Sequence, residues 1–307
     1  MTPAAGQPGP ILLVGADGQT GRVLRRTLST LGPVVPLTRA EADLADPAAL
    51  ATAVRRHAPA LIVNAAAYNA VDRAEEEPDL AIAINGTAPG VLAEEAKALG
   101  AALVHYSTDY VFGETVYRDA SGVTRPFHEE DPAEPLGAYG RSKLAGEDAI
   151  RAVGGAHLIL RTSWVYSSRG RTFLAALLRL EVKSAEVAIV DDQQSCPTWA
   201  PSLADATAQL LAAGWARGGS GALRERGGTY HLCGVGWCSR YTFAAAVFAH
   251  HAALGRSVPH LRATTSAEFP TPAARPFFSA LDTGKVQQTF GVGLPAWRTS
   301  LALCLAE

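Results

Sequence analysis

"ILLVGADGQTG", residues 11–21, joins a four-residue apolar run to a loop with glycine at positions 15, 18 and 21. The run is continuously apolar, as in a strand buried on both faces, and such strands belong to parallel sheets covered by helices. Gly15, Gly18 and Gly21 follow a G-x-x-G-x-x-G order. A backbone without Cβ atoms turns tightly and can approach a pyrophosphate closely. A helix opening at Gln19 and Thr20 would add free N–H groups and partial positive charge. Strand, glycine loop and helix in that order, at the head of a βαβ unit, predict a dinucleotide site; a tight turn without ligand is the alternative.

The alternation continues outward. A helix is expected over residues 20–31 and a short strand over VVPL (34–37). Residues 47–57 read as a helix with Asp46 as N-cap. ALIVNAAA (60–67) is a buried strand running into a loop. Residues 88–99 form a helix stopped by Gly100, and ALVHYST (102–108) is the next strand. Residues 139–153 read as a helix ending at Gly154-Gly155, and HLILRTSWVY (157–166) as one strand. The final third is irregular and rich in Pro and Arg, with a helix over 241–251 and a loop over 270–279. GGSGALRERGG (218–228) reads as an exposed loop. The expected fold is α/β: a Rossmann-type doubly wound parallel sheet with a smaller C-terminal substrate-binding cap. Residues 1–165 would form the dinucleotide-binding domain and 166–307 mainly the cap, with a return to the sheet near 197–235.

Bulk properties narrow the function. The chain has 307 residues, a formal net charge of −2 and 48% hydrophobic residues, as in an ordinary globular protein. No block of like charge suggests nucleic acid or a membrane surface, and no run approaches the ~20 apolar residues of a membrane span. MTPAAGQPGP (1–10) lacks the charge and apolar core of a signal peptide and reads as a short disordered lead-in. None of the four cysteines sits in a CxxC pair or a zinc spacing, so reduced thiols and a cytoplasmic location are expected. No carboxylate cluster is assigned to a metal.

After the second strand, an acid would hold the 2′-hydroxyl of NAD. This chain has Thr38-Arg39 there. A hydroxyl and a guanidinium suit a 2′-phosphate, so NADPH is the expected cofactor and NADH the alternative; a solvated loop arginine is the bland reading of Arg39. Asp43 and Leu44 follow and are placed at the adenine edge.

"AYGRSK" (138–143) sets Tyr139 four residues before Lys143 in a chain with only four lysines among 27 basic residues. On a helix, residues four apart share a face. Two unit charges ~4 Å apart at an effective dielectric of ~20 interact by about 4 kcal/mol, or about 3 pKa units. An ammonium beside the phenol is therefore expected to draw it toward neutrality, where general acid–base work is done. An ammonium is also more compact than a guanidinium and can donate to the ribose hydroxyls and the phenol side together. The bland reading is a surface lysine paired with Glu147. The third partner is sought at the carboxyl end of strand 102–108, where Ser107 and Thr108 offer hydroxyls to a substrate carbonyl and Asp109 and Tyr110 follow.

With these residues in place, the chain resembles the dTDP-4-dehydrorhamnose reductase family, within the extended short-chain dehydrogenase/reductases. The matching segments are GADGQTG (15–21), IVNAAAYNAVDRAE (62–75), Asn85 in AINGT, HYSTDYVF (105–112), YGRSKLAGE (139–147), LRTSWVY (160–166), DDQQSCPT (191–198), TYHL (229–232) and PTPAARPFFSALDTGK (270–285). The resemblance implies NADPH-dependent reduction of the C4 ketone of a dTDP-linked 6-deoxyhexose, dTDP-4-dehydro-L-rhamnose giving dTDP-L-rhamnose. It implies Tyr139 as proton donor, Lys143 as its partner and ribose ligand, and Thr108 on the substrate oxygen. Asn85 would support a water or the lysine, and Ala65, Ala66 and Ala67 would line the nicotinamide-side ribose. Trp164 and Arg275 would lie near the sugar and diphosphate; a planar, multiply donating cation suits a diphosphate. The chain departs from the family at Ser195, where glycine is usual, at Gly113-Glu114, and at Phe277 and Phe278, which are expected to crowd the sugar. A reductase of another dTDP-ketosugar, or a non-catalytic NADP-binding regulatory subunit, would look similar. A dehydratase would carry an acidic pair after the strand-end hydroxyl, and Thr108 is followed by Asp109-Tyr110. The sequence leaves room for a homodimer.

Overall fold

β1 (Ile11–Val14) shows why the sheet is covered on both faces: all four residues are buried, Ile11 and Leu13 in one apolar layer and Leu12 and Val14 in another. Successive side chains of a strand point to opposite faces, so an unbroken apolar run needs a cover on each side. The computed structural model describes residues 9–170, 172–180, 186–216 and 218–307; the expected lead-in lies outside them except for its last two residues.

The chain continues through α1 (Gln19–Thr27), β2 (Val34–Leu37), α2 (Pro47–His57), β3 (Leu61–Asn64), two short helices α3 (Arg73–Glu76) and α4 (Pro78–Ile82), a π-helical turn (Ala83–Thr87) and α5 (Ala88–Leu99). Next come β4 (Ala102–Thr108), a 3-10 turn (Asp109–Val111), α6 (Ala138–Val153) and β5 (Ala156–Thr162). The boundaries follow local chemistry. Asp46 Oδ1 accepts from Ala49 N at 2.9 Å and starts α2, while Gly100 and Gly154 stop α5 and α6 in the left-handed region.

The rest runs β6 (Val165–Tyr166), α7 (Phe173–Arg179), β7 (Glu186–Val190), β8 (Gln194–Ser195), β9 (Thr198–Trp199), α8 (Ala200–Gly214), α9 (Gly219–Glu225) and β10 (Gly228–His231). β11 (Cys238–Ser239), α10 (Arg240–Ala253), β12 (His260–Thr264), α11 (Gly284–Phe290) and α12 (Trp297–Ala306) complete it. The six-stranded sheet has the order β10-β5-β4-β3-β1-β2, and every pairing is parallel. Strand order reverses between β1 and β3, so the crevice for a ligand opens there, outside the carboxyl ends of the strands. α8 lies beside α1 and β10 extends the sheet past β5, which returns the chain to the sheet after its excursion through the cap.

Two expectations are corrected. HLILRTSWVY is two strands, because Ser163 and Trp164 break it and Trp164 takes φ +40°. GGSGALRERGG contains α9, whose Leu223 is fully buried in the sheet's apolar layer, so it is a packed helix rather than an exposed loop. Residues 73–87, which no reading of the sequence assigned, form α3, α4 and the π-helical turn.

Under α6 lies a buried ion pair. Arg161 of β5 grips Glu147 through Nε and Nη2, at 2.9 and 2.7 Å, and Arg151 adds a contact at 3.0 Å. Burial alone would push the Glu147 carboxyl up, but the arginines hold it below the usual range. α6 itself sits unusually close to its neighbours: a methyl on Gly140 would overlap the Tyr110 carbonyl oxygen, and one on Gly146 the Asn85 carbonyl oxygen. Gly146→Ala should therefore destabilise the fold by about 2 kcal/mol or more. Gly221→Ala, with open space around its new methyl, should be neutral or stabilising. Urea unfolding of both variants checks this, and equal midpoints would refute the close approach.

Candidate active site

A cavity of about 400 Å³ opens at the switch point. Gly18, Gln19 and Thr20 of the glycine loop wall one end, Ala65–Ala67 the side, and Thr108, Tyr139 and Lys143 the centre. Gly15 has φ +80°, and a methyl there would lie 2.6 Å from Ala66 N. A methyl on Gly21 would overlap the Gly15 carbonyl oxygen, so α1 starts flush on the loop. α1 has no side-chain cap and no acid in its first turn, which leaves its leading N–H groups available to an anion. The Ala65–Ala67 loop is fixed from below: Ala65 N donates to Val14 O at 2.9 Å and Ala66 N to Asn64 Oδ1 at 3.1 Å. Backbone and donors there fit a dinucleotide.

Thr108 Oγ1 accepts from Tyr110 N at 3.1 Å and donates to Asp109 Oδ1 at 3.2 Å. Its hydroxyl adjoins the Tyr139 phenol, which meets Tyr110 edge-on with ring centroids 5.8 Å apart. Burial pushes the phenol up, against the Thr108 hydrogen bond that pulls it down. The expected approach to neutrality is thus not seen. The reason lies in Lys143, whose Nζ is 2.6 Å from the Tyr106 carbonyl and 3.1 Å from His105 Nε2, and makes no hydrogen bond to the phenol. A phenol that keeps its proton is the form a donor needs. Glu147 is committed to the arginines, and Lys143 is almost wholly buried, so the surface-pair reading of the lysine falls.

Asn85 does not touch Lys143. Its Oδ1 accepts from Tyr68 N at 2.8 Å, and its Nδ2 donates to Tyr68 O at 3.0 Å and Ser142 Oγ at 3.0 Å. It pins the loop after β3 to α6; both hydrogens of its amide are committed, and Oδ1 keeps one lone pair. The π-helical turn presents it, a feature that helical periodicity in the sequence does not reveal.

Among the expected substrate groups, Ser107, Tyr110 and Trp164 line the cavity. Ser107 Oγ is buried without a hydrogen-bond partner. Asp109 borders the cavity but turns its carboxylate inward, accepting on Oδ2 from Ser163 at 3.1 Å, Ser195 at 2.8 Å and Ser279 at 2.6 Å. Burial pushes its pKa up and the hydroxyls pull it down. Ser195 thus has a structural use, as one donor to this buried acid. Arg275 does not line the cavity: Nη2 meets Asp72 Oδ2 at 2.9 Å and Nη1 reaches Thr271 and Ala273. Phe277 is exposed and Phe278 packs edge-on against Trp237, so neither crowds the cavity as expected.

Arg240, missed in the sequence, lines the cavity instead, its guanidinium 4.3 Å above the Trp164 ring. One signal was available: Arg240 is the first residue of α10, where the helix dipole disfavours a cation. Its stacking partner, Trp164, holds a left-handed backbone (φ +40°), strain of the kind that gathers at functional sites.

Arg39, Asp43 and Leu44 lie off the cavity, past β2. Arg39 is exposed and 3.5 Å from Asp43, whose other oxygen accepts from Ala45 N. The Leu44 side chain is packed in the apolar layer under α2, which leaves only its backbone to meet an adenine. Among the described residues no cluster of three or more metal-ligating side chains occurs, all four cysteines are free and buried, and no helix is long and apolar enough to cross a membrane.

The family described as the RmlD substrate binding domain matches residues 9–307. The chain is 43% identical over 301 residues to the dTDP-4-dehydrorhamnose reductase of Burkholderia thailandensis, covering 97% of this chain and 98% of that relative. It is 39% identical over 303 residues to that of Escherichia coli, covering 97% of each. Among solved structures, the dTDP-4-dehydrorhamnose reductase of Bacillus anthracis in complex with NADP superposes with a TM-score of 0.85 at 29% identity, covering 98% of this chain and 99% of that one.

Burial pushes the Lys143 ammonium down to about 8, against a small upward pull from Glu147. A depressed lysine is one the unfolded chain protonates more readily, so its burden on the fold lifts as pH rises from about 8 toward its ordinary 10.5. Burial alone predicts that the stability difference between wild type and Lys143→Met shifts toward wild type by about 3 kcal/mol across that window, and any further bias of the amine toward its neutral form starts the rise at lower pH. Thermal or urea unfolding of both proteins at several pH values measures it; a pH-independent difference would show that the amine is not strained by burial.

Proposed function

The chain belongs to the RmlD substrate-binding family of dTDP-4-dehydrorhamnose reductases, and from that membership we propose that it reduces the C4 ketone of dTDP-4-dehydro-L-rhamnose with NADPH, giving dTDP-L-rhamnose. The observation that carries this is the meeting of Thr108, Tyr139 and Lys143 in one cavity with the uncapped start of α1. The broader assignment is to the extended short-chain dehydrogenase/reductases, whose strand–glycine-loop–helix head this chain shares in residues 11–27. The proposed division places residues 1–165 with the cofactor and 166–307 mainly over the sugar, with α8 and β10 returning to the sheet. The proposed setting is a cytoplasm, which keeps free thiols reduced.

When bound, NADPH supplies hydride. The protein's own residues do the remainder. The glycine loop and the N–H groups of Gln19 and Thr20 hold the pyrophosphate. Ala65–Ala67 hold the ribose side with Lys143. Thr108 Oγ1 positions the ketone oxygen, and Tyr139 Oη gives that oxygen its proton as the alkoxide forms. A hydroxyl already aimed at the developing charge stabilises the transition state more than the ground state. Of the two candidate cations for the sugar diphosphate, Arg240 faces the cavity while Arg275 is held by Asp72.

Turnover of dTDP-4-dehydro-L-rhamnose with NADPH tests the reading directly. Tyr139→Phe should lower kcat by about 10²–10⁴-fold while NADPH affinity stays near wild type. A protein that binds NADPH but turns over no dTDP-ketosugar would be a binding subunit. Arg39→Ala should narrow the kcat/KM preference for NADPH over NADH, since the exposed guanidinium has only a long 3.5 Å contact to Asp43 to exchange for a 2′-phosphate. An unchanged ratio would make Arg39 a surface residue only.

A further inference from the structure

Lys143 ends a buried chain of three side chains whose hydrogens can be counted. Asn64 Oδ1 accepts from Ala66 N at 3.1 Å, so the amide orientation is set and Nδ2 faces His105 Nδ1, 3.1 Å away. Nδ2 can only donate, so Nδ1 must accept. His105 is fully buried, which drives its pKa well below the ordinary value, and a ring that accepts on Nδ1 cannot be the cation, so the ring is neutral. A neutral imidazole that accepts on Nδ1 carries its hydrogen on Nε2. That Nε2–H points at Lys143 Nζ, 3.1 Å away. An ammonium there would set donor against donor; a neutral amine would accept from Nε2–H and still donate to the Tyr106 carbonyl at 2.6 Å.

We propose that Asn64 and His105 form a tautomer-locked relay that holds Lys143 as a neutral amine in the ligand-free chain, so that cofactor binding brings proton uptake at Lys143. This rests on the reading of the cavity as a nicotinamide dinucleotide site. Ribose hydroxyls offer an ammonium acceptors that the relay withholds, and a buffer acid supplies the proton. The other charged and titratable groups around the amine do not substitute for it. Glu147, one turn on, is gripped by Arg161 of β5, and Tyr139, one turn back, faces Tyr110 and Asp109 of the 3-10 turn. Asn64 and His105 are positioning residues: they act through the lysine's charge, not on substrate.

The test is calorimetric titration of NADPH into the intact protein at about pH 7, in phosphate and in Tris, whose ionisation enthalpies differ widely. The slope of observed heat against buffer enthalpy counts protons taken up. Burial alone, with the lysine at about 8, predicts uptake of about a tenth of a proton; the relay predicts about one. Two variants reverse the polarity. Asn64→Asp accepts from His105 Nδ1–H and frees Nε2 to accept from an ammonium. His105→Gln can turn its amide oxygen to Lys143. Both should bind NADPH with uptake near zero. Wild-type uptake near zero, or uptake that persists in the variants, overturns the relay while leaving the reductase reading intact. Failure of wild type to bind NADPH at all overturns both.

Discussion

α6 lies against the 3-10 turn that follows β4 and the π-helical turn at a distance no side chain would permit. Gly140 rests on the Tyr110 carbonyl and Gly146 on the Asn85 carbonyl. Everything at the centre of the cavity inherits its position from that contact. Tyr139 and Lys143 share the helix, one turn apart, and reach the carboxyl end of β4 only because the helix is flush with it. The Glu147–Arg161 pair fastens the same helix to β5 from beneath, where removal of either partner would leave a buried charge uncompensated. Asn85, gripping Tyr68 on one side and Ser142 on the other, extends the fastening to the loop after β3. Three unlike forces thus converge on one helix: close backbone packing, a buried ion pair and a bidentate amide.

The electrostatics follow from that burial. A phenol and an amine withdrawn from water both favour their uncharged forms, the phenol by moving up and the amine by moving down. Neither is prepared for proton exchange by its neighbour alone. Filling the cavity with an anionic, hydroxyl-rich molecule changes what surrounds them, and the site's chemistry belongs to that filled state.

Much of this was readable in the amino-acid order. Helix stops at Gly100 and Gly154, the Asp46 cap and the apolar runs of β1, β3 and β4 are set by neighbours a few residues away. Thr108, Tyr139 and Lys143 were legible because one strand end and one helical turn place them. What stayed hidden depends on distant chain. Arg240 reaches the cavity through the cap, Asn85 turns on a π-helical register, and Asp109 is claimed by serines from three other segments. Phe278 was misjudged for the same reason: sequence proximity to a motif does not say which way a side chain faces once a tryptophan packs against it.

The Asp109 cluster has a kinetic meaning as well. Its three serine bonds close loops of 54, 86 and 170 residues, and all four segments must be home before the carboxylate is satisfied. Closing each longer loop adds only a slowly growing entropic term, yet contacts so far apart along the chain slow the search. Until the last serine arrives, a buried acid stands short of donors, and the half-docked cap is penalised. The floor of the cavity is therefore a checkpoint of assembly, where the sheet and the cap either lock together or stay apart.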